Sequence, residues 1–169
     1  LFLKHLSDAF DEAKEGVINY YLDKGKTQQQ AESFAGEQDE YTKTFFVPER
    51  AQWKNLKDLK HDIGAELNKA TEAIEEQNPT LEGVLVSIDF NIKNKLDDRK
   101  LRDLLSHYST FRLRTSDFER PDLLGAAYEY LIKMFADSAG KKGGAFYTPG
   151  EVVKLLVALL KPNAGMKIY

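Results

Sequence analysis

Apolar residues return every three or four positions through most of this chain. The stripe Leu3, Leu6, Phe10, Ala13, Val17 and Tyr20 is followed by Ile63, Leu67, Ala70 and Ile74, and then by Leu101, Leu104, Leu105 and Tyr108. Leu124, Ala127, Tyr128, Leu131 and Phe135 continue the pattern. That spacing puts each set on one face of an α-helix. A chain patterned this way buries its apolar surface by packing helix faces together, so the expected fold is mainly α, with an N-terminal helical bundle domain.

Local punctuation divides the stripes. Gly25 ends the first helix after about Leu22, and Thr27-Gln-Gln-Gln30 matches a capping box that opens a short helix through Phe34. Phe45–Pro48 reads as extended, with Pro48 in the first turn of a short helix carrying Trp53 and Leu56. Asn78-Pro79 closes the Ile63 stripe, and Asp97-Asp98 opens the next helix. Pro121 suits the first turn of a helix running to about Ser138, with Gly140 as its stop. Between residues 84 and 92 the pattern changes: Val84, Val86, Ile88, Phe90 and Ile92 alternate as in a strand, while the helical surroundings favour an irregular extended segment. Both readings stay open. Lys141-Lys142-Gly143-Gly144 reads as a flexible loop, followed by a last helix from Pro149 to Leu160. Leu1 sits inside an apolar stripe, and Lys167-Ile168-Tyr169 reads as the start of a strand, so a fragment of a longer protein is expected.

Composition excludes several classes. Hydrophobic residues make up 42% and charged residues 30% of the 169, a globular balance. No apolar run reaches the ~20 residues of a membrane helix, and no secretory leader is visible, so a cytoplasmic protein without membrane contact is expected. There is no cysteine, which removes disulfides and thiolate metal sites. His5, His61 and His107 lie far apart without ligand spacing, so no metal site is expected. The net charge of −3 argues against a domain that grips DNA by bulk charge alone.

The segment Gly143-Gly-Ala-Phe-Tyr-Thr-Pro149, followed by Gly-Glu-Val-Val153, has the most chemical content. Two glycines let the backbone approach a ligand closely. Thr148 can cap the following helix while Glu151 reaches back, and the free N–H groups of a first helical turn form an anion site suited to a carboxylate. The plainer alternative is an ordinary helix start, with Phe146 and Tyr147 packing in a core.

The run Asp122-Leu-Leu-Gly125-Ala-Ala-Tyr128-Glu129-Tyr130-Leu-Ile, then Phe135-Ala136, then Gly-Lys-Lys-Gly-Gly-Ala-Phe-Tyr-Thr-Pro149, resembles the modification (methyltransferase) subunit of type I restriction–modification systems. Leu1-Phe-Leu-Lys-His-Leu-Ser-Asp8 resembles that family's "LFLKYLSD" helix. Phe46-Val-Pro-Glu-Arg50-Ala-Gln-Trp53 and Asn78-Pro79-Thr-Leu81-Glu-Gly-Val84 follow in the family's order. The resemblance implies transfer of a methyl group from S-adenosylmethionine to adenine N6 in DNA. It also implies a helical domain over 1–140, joined to the first elements of a truncated Rossmann-like methyltransferase domain over 141–169. Gly144, Ala145, Phe146, Tyr147, Thr148 and Pro149 would form one side of the cofactor pocket. The expected partners are DNA, the specificity subunit, the restriction subunit and a second copy of the modification subunit.

Two departures qualify this. Ala145 stands where the family usually has Glu, and the family's "DPxxGSG" and "NPPF" motifs are absent, so no catalytic residue is assigned and the polypeptide by itself is expected to be inactive. Arg99, Lys100, Arg102, Arg112, Arg114 and Arg120 form the densest basic stretch, interleaved with Asp97, Asp98, Asp103, Asp117 and Glu119; an ordinary solvated surface is preferred over a DNA-facing one. Tyr128 and Trp53 are expected in the core. The competing function is a helical interaction module that docks a specificity subunit without touching cofactor or DNA.

Overall fold

The computed structural model describes residues 1–92, 96–118, 123–138 and 148–167. They belong to two compact units, Leu1–Phe118 and Glu119–Tyr169. The described residues are mainly helical and contain no strand.

In the first unit, α1 spans Phe2–Asp23 and buries Leu6 and Phe10. Gly25 takes φ +78°, a left-handed turn that suits glycine, and the chain reverses. α2, Gln28–Phe34, starts with the expected capping box: Thr27 Oγ1 accepts the Gln30 N–H at 3.3 Å, and the Gln30 side chain accepts the Thr27 N–H at 3.1 Å. Tyr21 stacks on Phe34 with ring centroids 4.3 Å apart, holding α2 to α1.

The helix expected after Pro48 is broken in two. A 3-10 turn, Glu49–Ala51, is separated from α3, Trp53–Leu56, by Gln52 in an extended conformation (ψ 139°). The cause lies in where the backbone bonds go. The Trp53 N–H donates to Ser7 Oγ of α1 at 2.7 Å, and the buried Gln52 side chain donates to the Val47 carbonyl at 3.1 Å. Pro48 therefore serves as the N-cap residue of the 3-10 turn rather than standing inside a helical turn.

α4, Ile63–Gln77, carries the central stripe, with Ile63, Leu67, Ala70 and Ile74 all buried. Each large aliphatic side chain here contributes about 1.5–3 kcal/mol by leaving water. Its N-terminus is capped from a distance. Asp62 is left-handed (φ 50°) and makes no cap bond of its own, while the Asp98 carboxylate accepts the N–H groups of Asp62 and Ile63, each at 3.0 Å. Asp98 opens α5, Asp98–Ser109, whose own cap is Asp97 accepting the Lys100 N–H at 2.8 Å. Leu101 and Leu105 are buried, whereas Leu104 is 47% exposed.

The segment from 84 to 92, open between strand and loop, is irregular, as are the residues just before it. With no strand alongside, its N–H groups turn to side chains of α4. The Glu75 carboxylate accepts from Gly83, Leu85 and Val86, and Asn68 accepts from Phe90 at 2.8 Å. Gly64 lets this segment pass close over α4: a Cβ there would collide with the Phe90 carbonyl oxygen and sit 2.9 Å from Asn91 Cα.

The second unit contains α6, Leu123–Ser138, and α7, Gly150–Leu160. Tyr128, expected in a core, is 65% exposed. An apolar helix hides its surface only against a partner, and the described residues of this unit supply just two helices. α7 likewise exposes Val153, Leu156, Leu159 and Leu160. Its boundary falls one residue after the expected Pro149 start. Pro121, Arg120, Gly140, the loop at 141–144 and the strand start at 168–169 lie outside the described residues. Among the described residues no helix is long and apolar enough to cross a membrane.

Candidate functional site

Of the six residues expected to line a cofactor, Thr148 and Pro149 are described, while Gly144, Ala145, Phe146 and Tyr147 lie outside the described residues. Thr148 and Pro149 are exposed. The capping box expected from Thr148 and Glu151 is not formed. Pro149 is the N-cap residue (φ −52°, ψ 137°), so Thr148 stands one position too early for its hydroxyl to reach the first-turn N–H groups. The Pro149 carbonyl accepts from Val152 at 2.9 Å and Val153 at 3.1 Å, which leaves the N–H groups of Gly150 and Glu151 at the open end of the helix. A Cβ added at Gly150 would meet nothing within 4 Å. The geometry thus retains two first-turn donors and the positive end of a helix dipole, with Glu151 as a competing negative charge in the same turn.

Two residues of the basic stretch, Arg112 and Arg114, are paired with carboxylates. Arg112 chelates Asp117, with contacts of 2.6 and 3.0 Å, and Arg114 holds Glu15 of α1 through contacts of 2.5 and 2.6 Å. The hydrogen bond from Arg112 holds the Asp117 carboxyl below its ordinary range, and that from Arg114 does the same for Glu15. Arg102 donates to the Lys60 carbonyl at 2.9 Å. Arg112 braces the 110–118 segment internally, Arg114 ties that segment to α1, and Arg102 ties α5 to the Lys60 turn.

The motif residues of the first unit turn out to be ties between elements. In α1, Lys4 pairs with Asp8, both nearly buried, and the Lys4 ammonium lies 5.7 Å from the Trp53 ring centroid. Asp8 also accepts the Leu113 N–H at 2.7 Å, and His5 Nδ1 lies 2.9 Å from the Leu113 carbonyl oxygen. Trp53, buried as expected, donates from Nε1 to Ser109 at 2.9 Å. Asn78 binds Phe46 through both its N–H (2.9 Å) and its carbonyl (2.8 Å), clamping the extended segment against the end of α4. Sequence reading identified these residues as a motif but missed what they do. A cluster of Lys, Ser and Asp on an otherwise apolar helix face was the available signal, since buried polar groups need partners.

Comparison with known proteins matches two family descriptions, the HsdM N-terminal domain over residues 1–107 and the N-6 DNA Methylase over residues 119–169. The methylase subunit of the type I restriction enzyme HindI from Haemophilus influenzae is 32% identical over 141 residues, covering 73% of this chain and 32% of that protein. The methylase subunit of the type I restriction enzyme MpnII from Mycoplasma pneumoniae is 32% identical over 129 residues, covering 69% and 23%. That of MjaIX from Methanocaldococcus jannaschii is 28% identical over 123 residues, covering 71% and 22%. The chain therefore spans a third or less of the length of these curated relatives.

Proposed function

Because this chain belongs to the HsdM N-terminal domain family, we propose that it is part of a type I restriction–modification DNA methyltransferase subunit, one that transfers methyl from S-adenosylmethionine to adenine N6. The observation that carries this reading is the succession of two family matches along one chain, 1–107 and then 119–169. In this reading the protein works in the cytoplasm. The helical domain closes on DNA and takes part in assembly with the specificity subunit, the restriction subunit and a second modification subunit. The division at 140 assigns the loop and α7 to the methyltransferase domain.

Residues 144–149 form one wall of the cofactor site. When bound, S-adenosylmethionine supplies the electrophilic methyl group. The free N–H groups at the start of α7 suit its carboxylate, and this support comes from backbone rather than from the Thr148 hydroxyl. By itself the 169-residue chain is inactive. A longer subunit containing it, mixed with its specificity subunit and tritiated S-adenosylmethionine, puts label on adenine; absence of transfer from the full assembly refutes the proposal.

A second reading, an interaction module touching neither DNA nor cofactor, is favoured by the pairing of Arg112 and Arg114 with acids of the same unit. It requires that charge reversal at both arginines leave the DNA affinity of the assembly unchanged. Loss of DNA binding with assembly intact rejects it.

A further inference from the structure

The segment from 82 to 90 separates two concavities of opposite character. On one side is a groove of about 410 Å³ lined by Glu72, Glu75, Glu76, Glu82, Pro79 and Val86. No basic residue lines it, and the side-chain carboxylates of Glu72, Glu76 and Glu82 have no hydrogen-bond or ion-pair partner among the described residues. On the other side is an open cavity of about 250 Å³, almost entirely apolar, whose walls include Leu1, Phe2 and Leu3 at the start of the sequence together with Leu85, Ile88 and Leu104. Val84, Val86 and Ile88 are 54%, 44% and 56% exposed on the ridge between them.

Exposed apolar side chains on a loose loop mean little, but this ridge is not loose. Glu75 holds three of its N–H groups and Asn68 a fourth, so the apolar side chains are presented from a fixed backbone. A rigid apolar ridge is costly to leave in water, and preorganisation of this kind lowers the entropy lost on docking.

We propose that this ridge is a docking surface for a basic amphipathic helix of another protein. Such a helix lays an apolar side chain into the cavity beside Ile88 and sets Lys or Arg over Glu72, Glu76 and Glu82. Charge complementarity selects this occupant: an acidic or neutral helix would leave the carboxylates unmatched, and a nucleic acid would be repelled by them. The inference stands whether or not the parent protein transfers methyl groups.

The test uses a labelled peptide with leucine on one helical face and lysine on the other, titrated by fluorescence anisotropy against this chain and against a longer subunit containing it. The expected result is binding to both, weakened about tenfold or more by Glu72→Gln/Glu76→Gln/Glu82→Gln and by added salt. Ile88→Asp weakens it similarly, and a leucine–glutamate peptide does not bind. Circular dichroism checks that each variant is folded. Equal affinity for the carboxamide variant, equal binding of the glutamate peptide, or binding lost in the longer subunit because its own chain fills the cavity would each overturn the proposal.

Discussion

Asp8→Ala is expected to destabilise the first unit far more than the removal of one surface charge. Lys4 and Asp8 are 6% and 8% exposed, and Asp8 also holds the Leu113 N–H. Removing the carboxylate strands a buried ammonium, a loss of about 3–5 kcal/mol; Lys4→Met strands a buried carboxylate with a similar loss. In the double variant Lys4→Met/Asp8→Ala no charge is stranded. What remains is an unmet Leu113 N–H, about 1–3 kcal/mol. The double variant is therefore more stable than either single variant, by about 2 kcal/mol. With a urea dependence of about 1–3 kcal/mol per molar, that is a midpoint difference of roughly 1 M. Trp53 is the single tryptophan, so its fluorescence reports the first unit alone. Losses that simply add in the double variant would refute the claim that these two residues act as a buried pair.

Three further outcomes follow from the same geometry. Gly64→Ala forces a Cβ against the Phe90–Asn91 backbone and lowers stability by about 1–3 kcal/mol, measured by urea unfolding. Asp98→Ala removes the acceptor for two N–H groups at the start of α4 and costs about 1–2 kcal/mol, with earlier hydrogen exchange at Asp62 and Ile63 as the local signature. For Glu75, burial works against ionisation, but the N–H groups of Val86, Gly83 and Leu85 outweigh it and hold the carboxyl below its ordinary range. A lowered folded pKa gives stability that is present above the unfolded value of about 4.3 and is lost as pH falls through the folded one. The protection of the 83–86 amides, measured against their intrinsic exchange rate at each pH, should therefore fall in acid, and Glu75→Gln should lose that pH dependence.

Much of the first unit was legible because periodicity reports directly on burial. Ile63, Leu67, Ala70 and Ile74 were assigned to one helix face and are all buried, and Thr27 with Gln30 formed the capping box that their spacing predicts. Long-range partners were not legible. Pro48 predicted a continuous helix, but Ser7, 46 residues earlier in the chain, takes the Trp53 N–H and breaks it. The alternation at 84–92 imitates a strand, yet a strand needs a neighbour, and only the fold shows that Glu75 and Asn68 substitute for one. At the candidate site the helix at 150–160 was visible, but its cap was misplaced by one residue because Pro149 adopts an extended ψ. The cofactor role of 144–149 came from resemblance to a family, since Thr-Pro-x-Glu alone says no more than that a helix begins.

The proposal that this chain is part of an adenine-N6 methyltransferase subunit, with its helical unit needed for that activity, is open to one direct test. Cells carrying the full-length subunit with its specificity subunit can be compared with cells in which residues 1–118 are deleted, by mass spectrometry of digested genomic DNA. The account predicts N6-methyladenine at a defined sequence with the full-length subunit, and its loss in the deletion. No N6-methyladenine from the intact pair, or undiminished methylation without residues 1–118, would contradict it.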